Sequence, residues 1–160
     1  MTTKITIKQY LKEYVVGKFS DCNDKAPVKF PAHTDLYMVI WDSLVKRPVN
    51  CPLDTGNLEI VLPNRHVGKK PLYYNYIGTG SQKLIQKKIE NMMWAECRDF
   101  IENNKQRYGI SYLNSVNQFL SRYNIDSISQ DALLKNFYRW RLKIRPRREK
   151  RQYCFKNKIE

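Results

Sequence analysis

The chain has 160 residues, with 29 Lys+Arg against 15 Asp+Glu and a formal net charge of +14. Hydrophobic residues make up 42% and aromatic residues 12%, enough to bury one core, which excludes wholesale disorder. No apolar run approaches the roughly 18–20 residues of a membrane span, and Met1–Lys8 has no apolar signal-peptide segment, so a soluble intracellular protein with a polyanionic partner and no membrane is expected.

Lys4–Phe19 carries apolar residues at Ile7, Tyr10, Leu11, Tyr14, Val15 and Val16, and the spacing predicts an amphipathic helix closed by Gly17. Ser20–Thr34 is rich in Asp, Asn, Pro and Lys and reads as a loop. Thr34 or Asp35 caps a second helix that carries Leu36, Tyr37, Ile40, Trp41 and Leu44 and ends before Pro48, although Leu36–Trp41 also suits a buried strand. Leu58–Leu62 reads as a strand bounded by Gly56 and Pro63, followed by a basic turn over Asn64–Pro71. Leu72–Ile77 then pairs back to give a hairpin around 57–77. Arg65, Lys69 and Lys70 in that turn form a secondary basic loop. Tyr73, Tyr74 and Tyr76 beside it either pack the sheet or stack on unpaired bases.

Thr79–Asn104 is the clearest helix. Thr79 and Gln82 fit a capping box, with Ser81 as an alternative cap. Leu84, Ile85, Ile89, Met92, Met93, Cys97, Phe100 and Ile101 form a broad stripe that serves either as the core or as a homodimer or larger oligomer seam. Beyond Gly109, Ser111 caps a helix with Leu113, Val116, Leu120 and Tyr123, and Asn124 closes it. Ser129 caps the last helix, where Ile128 and Leu133 form a hydrophobic staple. At 100° per residue, Leu133, Phe137, Trp140 and Ile144 share an arc of about 60°, and the basic residues lie off it until Pro146 stops the helix.

The charge is concentrated here. Residues 1–134 hold 18 Lys+Arg against 13 Asp+Glu, whereas residues 135–160 hold 11 against 2, so nine of the fourteen excess charges lie in the last 26 residues. A capped helix, a turn and a second, basic helix suit a helix-turn-helix, although the turn is longer than usual and has Asn124 where glycine is common. An ordinary αα-hairpin with a charged outer face is the alternative. In the first reading Gln130, Lys135, Asn136 and Arg139 read base edges. Arg141, Lys143, Arg145, Arg147, Arg148, Lys150 and Arg151 contact phosphates. The expected architecture is mainly α (α+β): a helical core over 1–108 with the hairpin, and a helix-turn-helix-like basic module over 109–160 packed on it.

No catalytic, metal or cofactor motif stands out. Cys22, Cys51, Cys97 and Cys154 include no CxxC pair and are expected as reduced thiols, with Cys97 in the core. His33 and His66 are far apart in sequence, and His66 reads as a surface residue. Asp54 and Glu59 flank a strand as in some metal-dependent nucleases, but Val61 stands where those enzymes carry lysine.

Phe30-Pro31, Leu36-Tyr37, the Tyr73-Tyr74-Asn75-Tyr76 run and the segment Asp131–Arg141 resemble small basic proteins carried by bacteriophages and mobile elements of gut bacteria. The last segment is also similar to the second helix of helix-turn-helix modules in phage regulators and packaging proteins. The resemblance implies a DNA-binding accessory or regulatory protein, acting for instance in transcription, in the cytoplasm of a bacterial host. DNA is preferred to RNA as the partner. A structural or assembly protein that touches nucleic acid by charge, and a nuclease or recombinase, are the alternatives.

Overall fold

The computed structural model describes residues 1–20, 26–52 and 54–146. In chain order these form β1 (Thr2–Ile5), α1 (Gln9–Phe19), α2 (Asp35–Ser43), β2 (Leu58–Val61), α3 (Thr79–Tyr108), α4 (Tyr112–Tyr123) and α5 (Gln130–Ile144). The protein is mainly helical with one small antiparallel sheet, and no helix among the described residues is long and apolar enough to cross a membrane.

The sheet is not the expected hairpin. β2 pairs with β1, Thr2 opposite Val61 and Ile5 opposite Leu58, so Thr3, Ile5, Leu58 and Ile60 share the buried face. The pairing uses the β2 edge that carries the Leu62 N–H, which donates to Met1 O at 3.0 Å. The opposite edge is taken by Val28, whose N–H donates to Glu59 O at 2.9 Å and whose carbonyl accepts from Val61 N at 2.8 Å. With both edges of β2 occupied, Leu72–Ile77 has no partner there, and it forms only an isolated bridge from Tyr76 to Val45. The same pairing delays the first helix. Residues 2–5 are extended, so α1 starts at Gln9 rather than Lys4.

Nor does Gly17 end α1, which continues to Phe19. The glycine marks a close approach: a Cβ there would lie 2.5 Å from the backbone oxygen of Tyr123 on α4. A hydrogen in place of a side chain lets the two helices meet backbone to backbone.

At 30 residues, roughly 45 Å, α3 is the spine of the fold. Ile85, Ile89, Met93, Cys97 and Ile101 are buried at steps of four residues, with α1, α2 and α4 packed around them. Leu84, expected in this stripe, is 59% exposed, because the buried line is narrower than the sequence pattern. The α3 N-terminus lacks the expected capping box. Gly78 is the cap residue, and the Gln82 amide instead accepts from Thr6 N at 3.1 Å and donates to Ile77 O at 3.1 Å, tying the helix to the β1–α1 connection.

The other caps form as the sequence predicts. Thr34 Oγ1 accepts from Tyr37 N, Ser111 Oγ from Asn114 N and Ser129 Oγ from Ala132 N, each at 3.3 Å. Asn124 closes α4 in the left-handed region, with φ 50°. On α4 the buried positions are Ser115, Val116, Phe119 and Tyr123, while the expected Leu113 is exposed. Tyr14, Phe119 and Tyr123 form an aromatic cluster, with ring centroids 5.1–6.3 Å apart.

One carboxylate joins three helices. Glu96 of α3 accepts hydrogen bonds from Tyr14 and Lys18 of α1 and from Tyr123 of α4. Burial alone would raise its pKa, but the bonds from Lys18, Tyr123 and Tyr14 outweigh burial and hold the carboxyl below its ordinary value. Burial and the same carboxylate push the Tyr123 phenol up to about 12.

Gly17→Ala is expected to cost about 1–3 kcal/mol, because the methyl meets backbone that has little room to move; urea unfolding measures it. For Glu96 the native pKa is depressed relative to the unfolded chain. Its stabilisation is therefore complete above the ordinary glutamate pKa of about 4.3 and is lost as pH falls through the lower native value. Unfolding of Glu96→Gln between about pH 7 and pH 3 should show lower stability at neutral pH and a shallower acid loss than wild type.

Candidate nucleic-acid interface

The α5 helix has an inner and an outer side. Leu133 and Phe137 are buried, and Trp140 is half-buried against Phe137. Centred about 130° around the helix from them, Lys135, Arg139 and Lys143 recur at every fourth residue, all exposed. None of the three has an ion-pair partner among the described residues. Gln130 is exposed in the first turn, and Arg145 is exposed at the C-terminal cap. Asp131 is the one acidic residue of α5 and sits in its first turn, where it complements the helix dipole.

Two expected nucleic-acid contacts are turned inward. Asn136 Oδ1 accepts from Arg98 Nη2 of α3 at 3.2 Å, and the Arg98 guanidinium lies 5.2 Å from the Trp140 ring centroid. Arg141 Nε lies 3.7 Å from Glu102 Oε1, with its guanidinium 5.2 Å from the Tyr112 ring centroid. Both therefore dock α5 on α3 and α4 instead of joining the open basic row. Ile144 departs from expectation in the other direction. It lies on the apolar arc yet is 58% exposed, because the last turn of α5 extends past the elements that cover Leu133 and Phe137. Arg147, Arg148, Lys150 and Arg151 lie outside the described residues, as do Cys22 and Cys154.

The connection between α4 and α5 is held from outside by Glu13, a residue that belongs to no sequence motif. Glu13 Oε2 of α1 accepts from Asp126 N at 2.9 Å, Ser127 N at 3.1 Å and Ser127 Oγ at 2.6 Å. Burial works to raise the Glu13 pKa, but the Ser127 bonds, with help from Gln9 and Asp126, bring it below its ordinary value. Ile125 is buried in the same turn. Glu13, Glu96 and Arg98 are thus positioning residues for α4 and α5. In sequence they look like ordinary charged positions of two amphipathic helices.

The secondary basic loop wraps around one indole. Arg65 lies 5.0 Å and Lys69 5.6 Å from the Trp41 ring centroid. Gly68, at φ +103°, lies so close that a Cβ would come within 2.6 Å of Trp41 Cζ2. Lys69 Nζ also donates to Asp42 O at 2.6 Å, where its charge suits the C-terminus of α2. Lys69 is thus a helix-capping cation, whereas Lys70 is exposed with no side-chain hydrogen bond or ion pair among the described residues. Tyr74 packs on the core and Tyr76 lies beside Arg47, leaving Tyr73 as the open tyrosine, 62% exposed.

Asp54, weighed above as a nuclease carboxylate, accepts from Thr3 Oγ1 and Arg47 Nη2, both at 2.7 Å, and Glu59 accepts from Thr2 Oγ1. Among the described residues no group of three or more His, Cys, Asp or Glu side chains is placed to hold a metal ion. Cys51 and Cys97 are free thiols, and burial pushes Cys97 up to about 12. Comparison with known proteins finds no family model, no curated protein and no solved structure that matches the chain.

Because Trp140 is only half-buried, Trp140→Ala is expected to cost about 2–3 kcal/mol, below the 3–5 kcal/mol of a fully buried tryptophan. Thermal and urea unfolding measure the loss, and a cost near zero would show that α5 is not held through this ring.

Proposed function

We propose that the protein binds nucleic acid, duplex DNA in preference to RNA, through the outward side of α5. The observation that carries this reading is the row Lys135, Arg139 and Lys143, exposed and without carboxylate partners, on a helix whose inner side is locked to the core. Three cations at i, i+4 and i+8 repel one another and contribute nothing to packing. Such a row is favourable when a phosphate backbone neutralises it and releases condensed counterions.

In this reading Gln130, Lys135 and Arg139, in the first half of α5, face base edges in the major groove, where amide and guanidinium groups make paired hydrogen bonds. Lys143 and Arg145, and beyond them Arg147, Arg148, Lys150 and Arg151, contact phosphates. Helix α4 and the turn fixed by Glu13 brace α5, in the manner of a helix-turn-helix. A DNA-binding accessory or regulatory role in a phage or mobile element, acting in the bacterial cytoplasm, agrees with this chemistry and with the resemblance of the Asp131–Arg141 segment.

The triple variant Lys135→Ala, Arg139→Ala, Lys143→Ala tests the reading. Arg141 is left in place because it pairs with Glu102. Gel shifts or anisotropy on a DNA duplex over a range of salt should show weaker binding, with a log K against log[salt] slope shallower by about one for the lost Lys143 phosphate contact and the rest of the loss coming from the Lys135 and Arg139 base contacts. The thermal midpoint should change little. Duplex affinity and slope equal to wild type would reject α5 as the interface, and tighter binding to an RNA duplex of the same sequence would reject the preference for DNA.

A further inference from the structure

A cleft of about 1180 Å³ opens elsewhere on the molecule, and none of its lining residues comes from α3, α4 or α5. It is walled by residues 29–32, by Tyr37 of α2, by the end of β2 and by the loop from Asn64 to Leu72. Its lysine and arginine side chains are Lys29, Arg65 and Lys70, Met1 and His66 also line it, and among the described residues no carboxylate side chain does. Phe30 and Leu62 are buried beneath it, and Leu72 is a 66% exposed apolar side chain on its wall. The Tyr37 hydroxyl donates to Asn64 O at 3.1 Å, which fixes that ring against the loop. Arg65 is an exposed side chain on the cleft rim, its guanidinium 5.0 Å from the Trp41 ring centroid and its Nη1 3.8 Å from Met38 Sδ, and it offers a planar fork of donors. The Asn64 side chain makes no hydrogen bond among the described residues and offers both a donor and an acceptor.

A site with several cations, no acid, an apolar wall and an amide at its edge matches an anion joined to a flat, partly apolar body. We infer that this cleft takes one nucleoside phosphate, the phosphate against Lys29, Arg65 and Lys70 and the base against the Tyr37–Leu72 wall within reach of Asn64. It is a second site, independent of the duplex interface on α5. Inorganic phosphate leaves the apolar wall unused and a nucleoside leaves the cations unused, so each half of the ligand alone binds less well. The nucleotide is either free or an unpaired unit of a strand, since the recognised chemistry is the same.

The test uses the full chain. Calorimetry with the four deoxynucleoside monophosphates, the four deoxynucleosides and inorganic phosphate measures the small ligands. Anisotropy of a labelled single-stranded dodecamer and of its duplex measures the strands. The cleft variant is Lys29→Glu with Lys70→Glu, both exposed and outside every ion pair in the described structure, so folding is not at stake; Arg65→Ala is the second variant. Lys83→Glu with Lys87→Glu, on the exposed side of α3, controls for net charge.

At least one monophosphate should bind about tenfold or more tightly than its nucleoside and than inorganic phosphate, and the cleft variant should lose about tenfold while the control loses less than threefold. Loss of single-strand binding in the same variant identifies an unpaired strand as the source, and unchanged single-strand binding identifies the free nucleotide. Inorganic phosphate binding as well as the monophosphates, no monophosphate binding at all, or equal losses in the cleft and control variants would overturn the inference. The α5 triple alanine variant, run on the same duplex, reports on the duplex interface separately, so either site can fail without the other.

Discussion

The placement of α5 depends on a carboxylate it never touches. Glu96 collects hydrogen bonds from Tyr14, Lys18 and Tyr123 and so fixes α1 and α4 on the same stretch of α3. Burial without donors would raise the pKa of this carboxyl and favour its protonated form. With one cation and two phenols aimed at it, the ionised form is the stable one, and charge-assisted bonds of this kind contribute about 1.5–3 kcal/mol each, though not additively. Once α1 and α4 are set, Gly17 admits the close approach to Tyr123, and Glu13 on α1 reaches the backbone of residues 126 and 127. The turn leading into α5 is therefore fixed from α1.

The two sides of α5 show how the same residue type comes to different ends. Arg139 and Arg141 are two residues apart, about 200° around the helix. Arg141 meets Glu102 and the Tyr112 ring, whereas Arg139 meets solvent. Elsewhere four more of the described carboxylates form ion pairs: Asp35 with Lys88, Asp54 with Arg47, Glu90 with Lys8 and Glu96 with Lys18. A chain with about twice as many bases as acids leaves unmatched cations outside. The fold gathers three of these in register on one rigid helix, where their mutual repulsion is greatest, instead of scattering them.

What the sequence disclosed follows from the range of each interaction. Caps are local, three residues from oxygen to amide, so Thr34, Ser111, Asn124 and Ser129 were legible one by one. Helix existence was equally legible from periodicity. The β1–β2 pairing spans more than fifty residues, and a four-residue strand at the start of the chain carries too short an alternation to announce its partner. A nearby tyrosine-rich run supplied the simpler hairpin. Periodicity also finds an arc without showing where the covering helix stops, which is why Leu84, Leu113 and Ile144 were placed inside and are exposed. Asn136 and Arg141 looked like available polar side chains because nothing local reveals Arg98 and Glu102 opposite them. The open row at Lys135, Arg139 and Lys143 was legible, since it needed only the helix period and the knowledge that Leu133 and Phe137 face inward.

The order built into α5 bears on how a polyanion would be held. A loose cationic tail attracts phosphates as well as a helix does at long range, but on contact it loses conformational freedom in every residue it fixes. In α5 the start is capped by Ser129, the middle is anchored by Phe137 and Trp140, and Asn136 and Arg141 tie it to α3, so the spacing of Lys135, Arg139 and Lys143 is set before any encounter. Fixed cations at roughly 6 Å steps along one line favour a ligand whose charges are also fixed. A duplex has such charges and a flexible strand does not. The cleft walled by Tyr37 and Leu72 has the opposite character, a concave surface of about 1180 Å³ with an apolar wall beside its cations. The proposed preference of α5 for paired strands, and of the cleft for a single nucleotide, would then come from geometry, since both present positive charge.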